Sequence, residues 1–196
     1  LLVSALMYTN PIMIYFGQEL GEKGMDAEGF SGEDGRTTIF DYWTVDTIRR
    51  WHNNGKFDQK LLTEDELSLQ DYYAKVLNIC NSSEAVREGE FYDLMYVNPQ
   101  LQKQYTFVRH SEKETLLVIA NFASQDTEIT INVPEHLFEY YGIKENTACE
   151  WTDLLSGSQI TTAFSSNMPT KLNVPSWGGC ILKMKSVKKA GKKTKS

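Results

Sequence analysis

With 196 residues, 41% of them apolar, the chain can form one ordinary domain or two small ones around a genuine core. No apolar run approaches the ~20 residues of a membrane helix, and Leu1–Met7 lacks the length and basic flank of a signal peptide, so no membrane partner is expected. The net charge of −6 is uneven: seven of the 20 basic residues and none of the 26 acidic ones fall within Lys183–Ser196, and the acidic remainder argues against a nucleic-acid partner.

The first piece of the chain reads as helix-rich. Ser4–Tyr8 is expected to end a helix that begins upstream. Ile12–Phe16 is an unbroken apolar run, suited to a strand covered on both faces, as in a parallel sheet or barrel. No earlier strand is present to pair with it, so the chain is expected to open in mid-domain. Five glycines between Gly21 and Gly35 predict an irregular loop. A short helix over Thr44–His52 follows, with Thr44 as N-cap and Asn54-Gly55 as its stop. Thr63-Glu64-Asp65-Glu66 is a capping box, and Leu69, Tyr72, Tyr73, Val76, Leu77 and Cys80 continue from it at helical spacing.

From about Gly89 the period becomes that of strands. Candidates are Phe91–Val97, Tyr105–His110, Thr115–Asn121, Glu128–Val133, Cys149–Asp153, Thr170–Val174 and Gly179–Lys185. Ile129, Ile131 and Val133 alternate with Thr130 and Asn132, as a half-wet strand should, whereas Leu116–Ala120 is apolar throughout and belongs in the middle of a sheet. Short polar links predict an antiparallel meander folded as a β-sandwich. Cys80, Cys149 and Cys180, like His52, His110 and His136, lack metal-ligand spacing; Cys80 and Cys180 read as small buried apolar residues. The lysine-rich end reads as a solvated tail.

Ile14, Tyr15, Gly17 and Glu19 match the G-x-P-x-I-Y-Y-G-x-E run that ends the catalytic barrel of the α-amylase family (glycoside hydrolase family 13), which this stretch resembles, with Pro11 one place ahead of the run's proline; Asn10 and Phe16 depart from it. Further on, Arg109 and the run Thr115–Phe122 resemble the R-x-x-x-E-x-L-L-V-x-x-N-F pattern of that family's C-terminal domain. The fold class implied is α+β: a remnant of the last strand and helices of a (β/α)8 barrel over residues 1–88, an antiparallel β-sandwich over 89–185, and a basic tail over 186–196.

Glycoside hydrolysis needs two carboxyls across the scissile bond, and in a barrel the active site lies at the C-terminal ends of the strands. Glu19, Glu22, Glu33, Asp34 and Asp41 can border such a site. The resemblance puts the catalytic carboxylates on earlier strands, so no catalytic residue is assigned here. It implies a retaining parent enzyme acting on α-glucans such as starch or maltooligosaccharides, with this chain inactive alone. No cofactor or metal is expected in the chain itself, and calcium is left open for the intact enzyme.

The leading candidate segment is Asp34–Trp43, similar to the R-T-P-M-Q-W loop of oligosaccharide-active members, with Thr38 in place of proline and Phe40 in place of glutamine. Arg36, Tyr42 and Trp43 are the candidate substrate contacts, since a guanidinium offers fixed donors to hydroxyls and flat rings cover sugar faces. The competing reading pairs Arg36 with Asp34 or Asp41 and packs the rings beneath the loop. Trp151 and Trp177 read as strand-end packing ahead of a sugar platform. An independent non-catalytic glycan-binding or scaffold module is the alternative to the enzyme reading. The apolar faces left unpartnered by a truncated barrel predict dimerisation through that surface.

Overall fold

The computed structural model describes residues 1–23 and 45–185. Arg36, Tyr42 and Trp43 therefore lie outside the described residues, as do Glu33, Asp34, Asp41, the proposed N-cap Thr44 and the lysine tail beyond 185. Two compact units are present: Leu1–Asn10 together with the chain from Ile79 onward, and Pro11–Asn78.

The larger unit is mostly antiparallel sheet. Among its described residues eight strands run β1 (Glu90–Asp93), β2 (Gln104–His110), β3 (Thr115–Asn121), β4 (Thr127–Ile131), β5 (Asn146–Asp153), β6 (Gln159–Phe164), β7 (Thr170–Val174) and β8 (Gly179–Met184). Six of them form one sheet in the order β1-β2-β3-β8-β5-β6, and β4 pairs with β7 in a second. This corrects the expected meander. Within the larger sheet β1-β2-β3 and β5-β6 are sequential neighbours; after β3 the chain crosses to the other sheet, and β8 returns between β3 and β5.

Side chains from both sheets meet in one core. Ile129 and Ile131 of β4 and Leu172 and Val174 of β7 face Val108, Leu117, Ile119, Trp151 and Leu182 of the larger sheet. All seven residues of β3 are buried, as its unbroken apolar run requires. One face meets this core, and helix α1 (Leu2–Leu6) packs against the strand as well. The half-wet reading of Ile129–Val133 also holds: Ile129, Ile131 and Val133 are buried while Asn132 is exposed.

Three local expectations differ. The strand expected over Phe91–Val97 stops at Asp93 and continues as a 3-10 turn over Met95–Val97, where Asp93 Oδ1 accepts from the Met95 N–H at 2.9 Å. β6 was not expected. A helix over Glu135–Tyr141 (α5) also went unforeseen, although Gly142 closes it in the left-handed region (φ 63°). Its Leu137 and Phe138 are buried in the core.

In the smaller unit, α2 (Asp46–His52) starts two residues later than expected and ends at Asn53, whose φ of 41° closes it. Helix α3 (Glu64–Ser82) opens on the predicted capping box. Thr63 Oγ1 accepts from the Glu66 N–H at 3.3 Å, and Glu66 Oε2 accepts from the Thr63 N–H at 2.9 Å. Leu20, Val45, Ile48 and Leu62 form this unit's core, with Phe16, Trp51 and Leu67 packed against it. Ser83 then caps α4 (Glu84–Arg87) in the larger unit.

Ile12–Phe16 is not a strand: among the described residues no partner strand pairs with it. Met13 and Tyr15 are exposed, at 85% and 52%, while Ile12, Ile14 and Phe16 are half-buried. An apolar run acquires ladder hydrogen bonds only from a neighbouring strand, and alternate side chains here face outward.

Candidate functional site

The described residues on either side of 24–44 are Gly17–Lys23 and the start of α2. Gly17 adopts φ 77°, and a Cβ there would lie 2.8 Å from Glu22 Cβ, so the turn accepts only glycine. A 3-10 turn over Gln18–Leu20 follows, and Gln18 Nε2 donates to Tyr73 Oη at 3.0 Å. Beside it lies a concavity of about 540 Å³ lined by Glu22, Lys23, Thr47, Arg50, Asp65 and Glu66, among others.

Its best-defined polar groups are engaged with one another. Arg50 grips Glu66 through Nε and Nη2, with Nε at 3.1 Å from both carboxylate oxygens. Hydrogen bonding from Arg50 holds the Glu66 carboxyl below its usual range against the opposing effect of burial. Thr47 donates through its hydroxyl to Glu22. An ionised, hydrogen-bonded Glu66 fixed to a guanidinium cannot serve as a general acid at neutral pH. This arrangement ties α2 to Glu22 and to the start of α3. Among the described residues no group of three or more His, Cys, Asp or Glu side chains is placed to hold a metal ion.

The larger unit separates its two tryptophans. Trp151 is fully buried and meets Phe164 edge-on at 5.2 Å, which is the packing role expected of it. Trp177 is 73% exposed, so strand-end packing does not describe it. Cys149 and Cys180 are buried free thiols, and burial raises their pKa values to about 11 and about 12; Cys80 is a free, half-buried thiol.

Arg109 is buried in this unit and bonded to several backbone segments. At 2% exposure it donates to Ala85 O (3.0 Å), Met7 O (2.9 Å), Val86 O (3.0 Å) and Gly89 O (2.7 Å). Asn121, also buried, donates to Val174 O and Pro175 O and accepts from the Ala123 N–H.

No protein-family model and no curated protein matches the sequence. Solved structures do match. A variant of AmyP in complex with maltotriose superposes with a TM-score of 0.64 at 15% identity, over 94% of this chain and 34% of that one. The α-amylase from Geobacillus thermoleovorans complexed with acarbose gives 0.56 at 12% identity, over 94% and 32%. An Anoxybacillus α-amylase gives 0.53 at 19% identity, over 95% and 32%. This chain has the fold of the C-terminal part of α-amylases. It spans about a third of the length of the α-amylases it matches. Within this α-amylase-type fold, Arg109 and Asn121, which carried the sequence resemblance, are framework residues: their donors are spent on backbone carbonyls.

Sequence reasoning missed an aromatic group that the unexpected α5 brings together. Tyr92 Oη lies 2.9 Å from Tyr96 Oη and 3.0 Å from His136 Nδ1, and Tyr141 meets His110 at 4.4 Å between ring centres, the planes tilted by 37°. The signal was the Leu137, Phe138, Tyr141 spacing before Gly142.

Two groups in this unit make it sensitive to acid. Burial lowers the His110 pKa against the attraction of Glu90. Burial pushes the Glu114 carboxyl up, but hydrogen bonds from Lys183, Ser83 and the Ala85 N–H outweigh it and hold the pKa below the usual value. In both cases the folded pKa lies below the unfolded one, so each contribution is present above the unfolded value, about 6.5 for His and about 4.3 for Glu. Each is lost as pH falls from there through the folded value. Urea midpoints are expected to decline below about pH 6.5 and more steeply below about pH 4.3. His110→Gln removes the upper part of that decline. A midpoint flat from pH 7 to 3.5 contradicts the assignment.

Proposed function

We propose that this chain is the C-terminal part of a retaining α-glucan-active glycoside hydrolase, comprising the end of the catalytic barrel over residues 1–88, a β-sandwich over 89–185 and a basic tail. The observation that carries this reading is a shared fold over 94% of the chain with enzymes about three times its length. The exposed Met13 supports it, since an apolar segment with no ladder partner among the described residues suits a barrel strand whose neighbours lie in another stretch of polypeptide. Those neighbours would carry the acid/base and nucleophile carboxylates, leaving this chain inactive alone. Arg36, Tyr42 and Trp43 would border the substrate cleft, and α-glucan or maltooligosaccharide would be its occupant; AmyP has been crystallised in complex with maltotriose and with maltose.

The test is the reading frame ahead of Leu1 together with the activity it encodes. Strands ending in Asp and Glu, and a longer product that releases maltooligosaccharides from starch with retention of anomeric configuration, are the expected results. A start codon immediately ahead of Leu1 would leave only the non-catalytic module. Expressed as given, the chain should also dimerise through the face bearing Met13 and Tyr15, and Met13→Glu with Tyr15→Lys should restore the monomer in sedimentation. A wild-type chain that stays monomeric at high concentration contradicts that expectation.

A further inference from the structure

The Pro175–Gly178 turn presents a tryptophan where the fold itself calls for glycine. Trp177 adopts φ 49°, in the left-handed region that bulky residues avoid. The turn is held in that shape from several sides. Trp177 N–H donates to Ala123 O at 3.0 Å, Asn121 N–H to Gly178 O at 2.8 Å, Asn121 Nδ2 to Pro175 O at 3.1 Å, and Ser176 N–H to Asp126 Oδ1 at 2.9 Å.

Internal packing does not account for the indole. Phe57 also sits at positive φ (52°), but its ring packs on Trp51 at 4.9 Å and His52 at 5.0 Å. Trp177 makes no ring contact among the described residues and is 73% exposed. A strained backbone carrying a large side chain that contributes nothing to the chain's own core points to a role outside that core.

The surroundings indicate what it meets. Phe122, next to the Ala123 carbonyl that accepts from Trp177, is 55% exposed. Ser124, Gln125 and Asp126 around it are exposed, and Asp126 is oriented by the Ser176 N–H. Two flat rings amid hydroxyl, amide and carboxylate groups match an amphiphilic ring, one with an apolar C–H face and a perimeter of hydroxyls. A stable protein interface needs roughly 800 Å² from each partner around a contiguous apolar centre, which two rings in a polar rim do not offer.

We propose that this turn is a pyranose-stacking site. Trp177 is its platform, Phe122 its second apolar contact and Asp126 an acceptor for sugar hydroxyls. The stacking rests on this geometry alone; the identity of the sugar as an α-glucan rests on the function proposed above.

The test is calorimetric titration of the full chain with maltoheptaose and with cellohexaose, alongside thermal melts. Trp177→Gly is expected to weaken maltoheptaose binding tenfold or more, while Phe122→Ala weakens it several-fold. Because glycine suits this φ, the melting midpoint of Trp177→Gly should be unchanged or raised, which separates lost binding from lost folding. Binding of cellohexaose but not maltoheptaose, abolished by the same variant, supports the platform and counts against the α-glucan reading. The proposal is overturned if the wild-type chain binds neither sugar, or if Trp177→Gly binds as the wild type does. A midpoint lowered by more than about 5 °C also overturns it, because the indole would then be packed against its own chain.

Discussion

Arg109→Met is expected to lower the free energy of unfolding of the larger unit by about 3–5 kcal/mol, the scale for removing one member of a buried charged hydrogen-bond set. The guanidinium is 2% exposed and satisfies the carbonyls of Met7, Ala85, Val86 and Gly89. Those carbonyls end α1, lie within α4 and lead into β1, so one side chain ties three segments to β2. Methionine fills a similar volume but donates nothing, leaving the carbonyls without that partner. Burial lowers the Arg109 pKa, yet a guanidinium stays charged, so its removal also relieves a desolvation cost and keeps the expected loss within that range. Arg109→Lys should recover only part of it, because a single ammonium cannot reproduce the planar fork. Denaturant unfolding followed by near-ultraviolet circular dichroism measures this directly. A loss below about 1 kcal/mol would mean that water replaces the guanidinium at no cost.

Gly179→Ala should destabilise the same unit by about 1–3 kcal/mol or more, the range for overpacking a closed site. Gly179 pairs with Ala120 where β8 meets β3. A Cβ there would stand 2.1 Å from the Ile119 carbonyl oxygen and 2.4 Å from Leu2 Cδ1. Leu2 can adjust, but the Ile119 carbonyl belongs to a fully buried strand and cannot move without opening the β3–β8 ladder. Gly142→Ala is the matched control: its φ of 63° carries the left-handed penalty, but nothing lies within 4 Å of the added Cβ. If Gly179→Ala costs no more than Gly142→Ala, the described contact between α1 and the sheet is wrong.

The parts of this fold that could be read from the sequence are those where one physical signal decides. β3 was legible because seven consecutive residues are buried and its core is continuously apolar. The start of α3 was legible because Thr63 and Glu66 satisfy each other's backbone N–H groups, an arrangement local to four residues. Strand order was not legible. The return of β8 to lie between β3 and β5 is fixed by which faces bury one another, and no local pattern states that. β6 escaped notice because it pairs only with β5 at the sheet edge and alternates weakly. α5 was hidden by its brevity and by Pro134, which ends the preceding strand signal.

Ile12–Phe16 shows the opposite case. Its apolar run was plain, but a strand is a relation between segments, and among the described residues no second segment supplies the ladder. Of the candidate site, Arg36, Tyr42 and Trp43 came from a motif and lie outside the described residues. Trp177 reads in the sequence as strand-end packing ahead of a sugar platform, because an isolated tryptophan does not state which side of a strand end it takes. Tryptophan is a poor indicator of a left-handed turn, so its backbone conformation could not be anticipated.

The most direct measurement is the size and activity of the natural gene product. The account predicts a polypeptide roughly three times as long as this chain, from the 34% coverage of AmyP. It should hydrolyse starch with retention of configuration and lose that activity when carboxylates upstream of Leu1 are changed to amides. A natural product no longer than this chain, or a longer one without action on α-glucans, would contradict it.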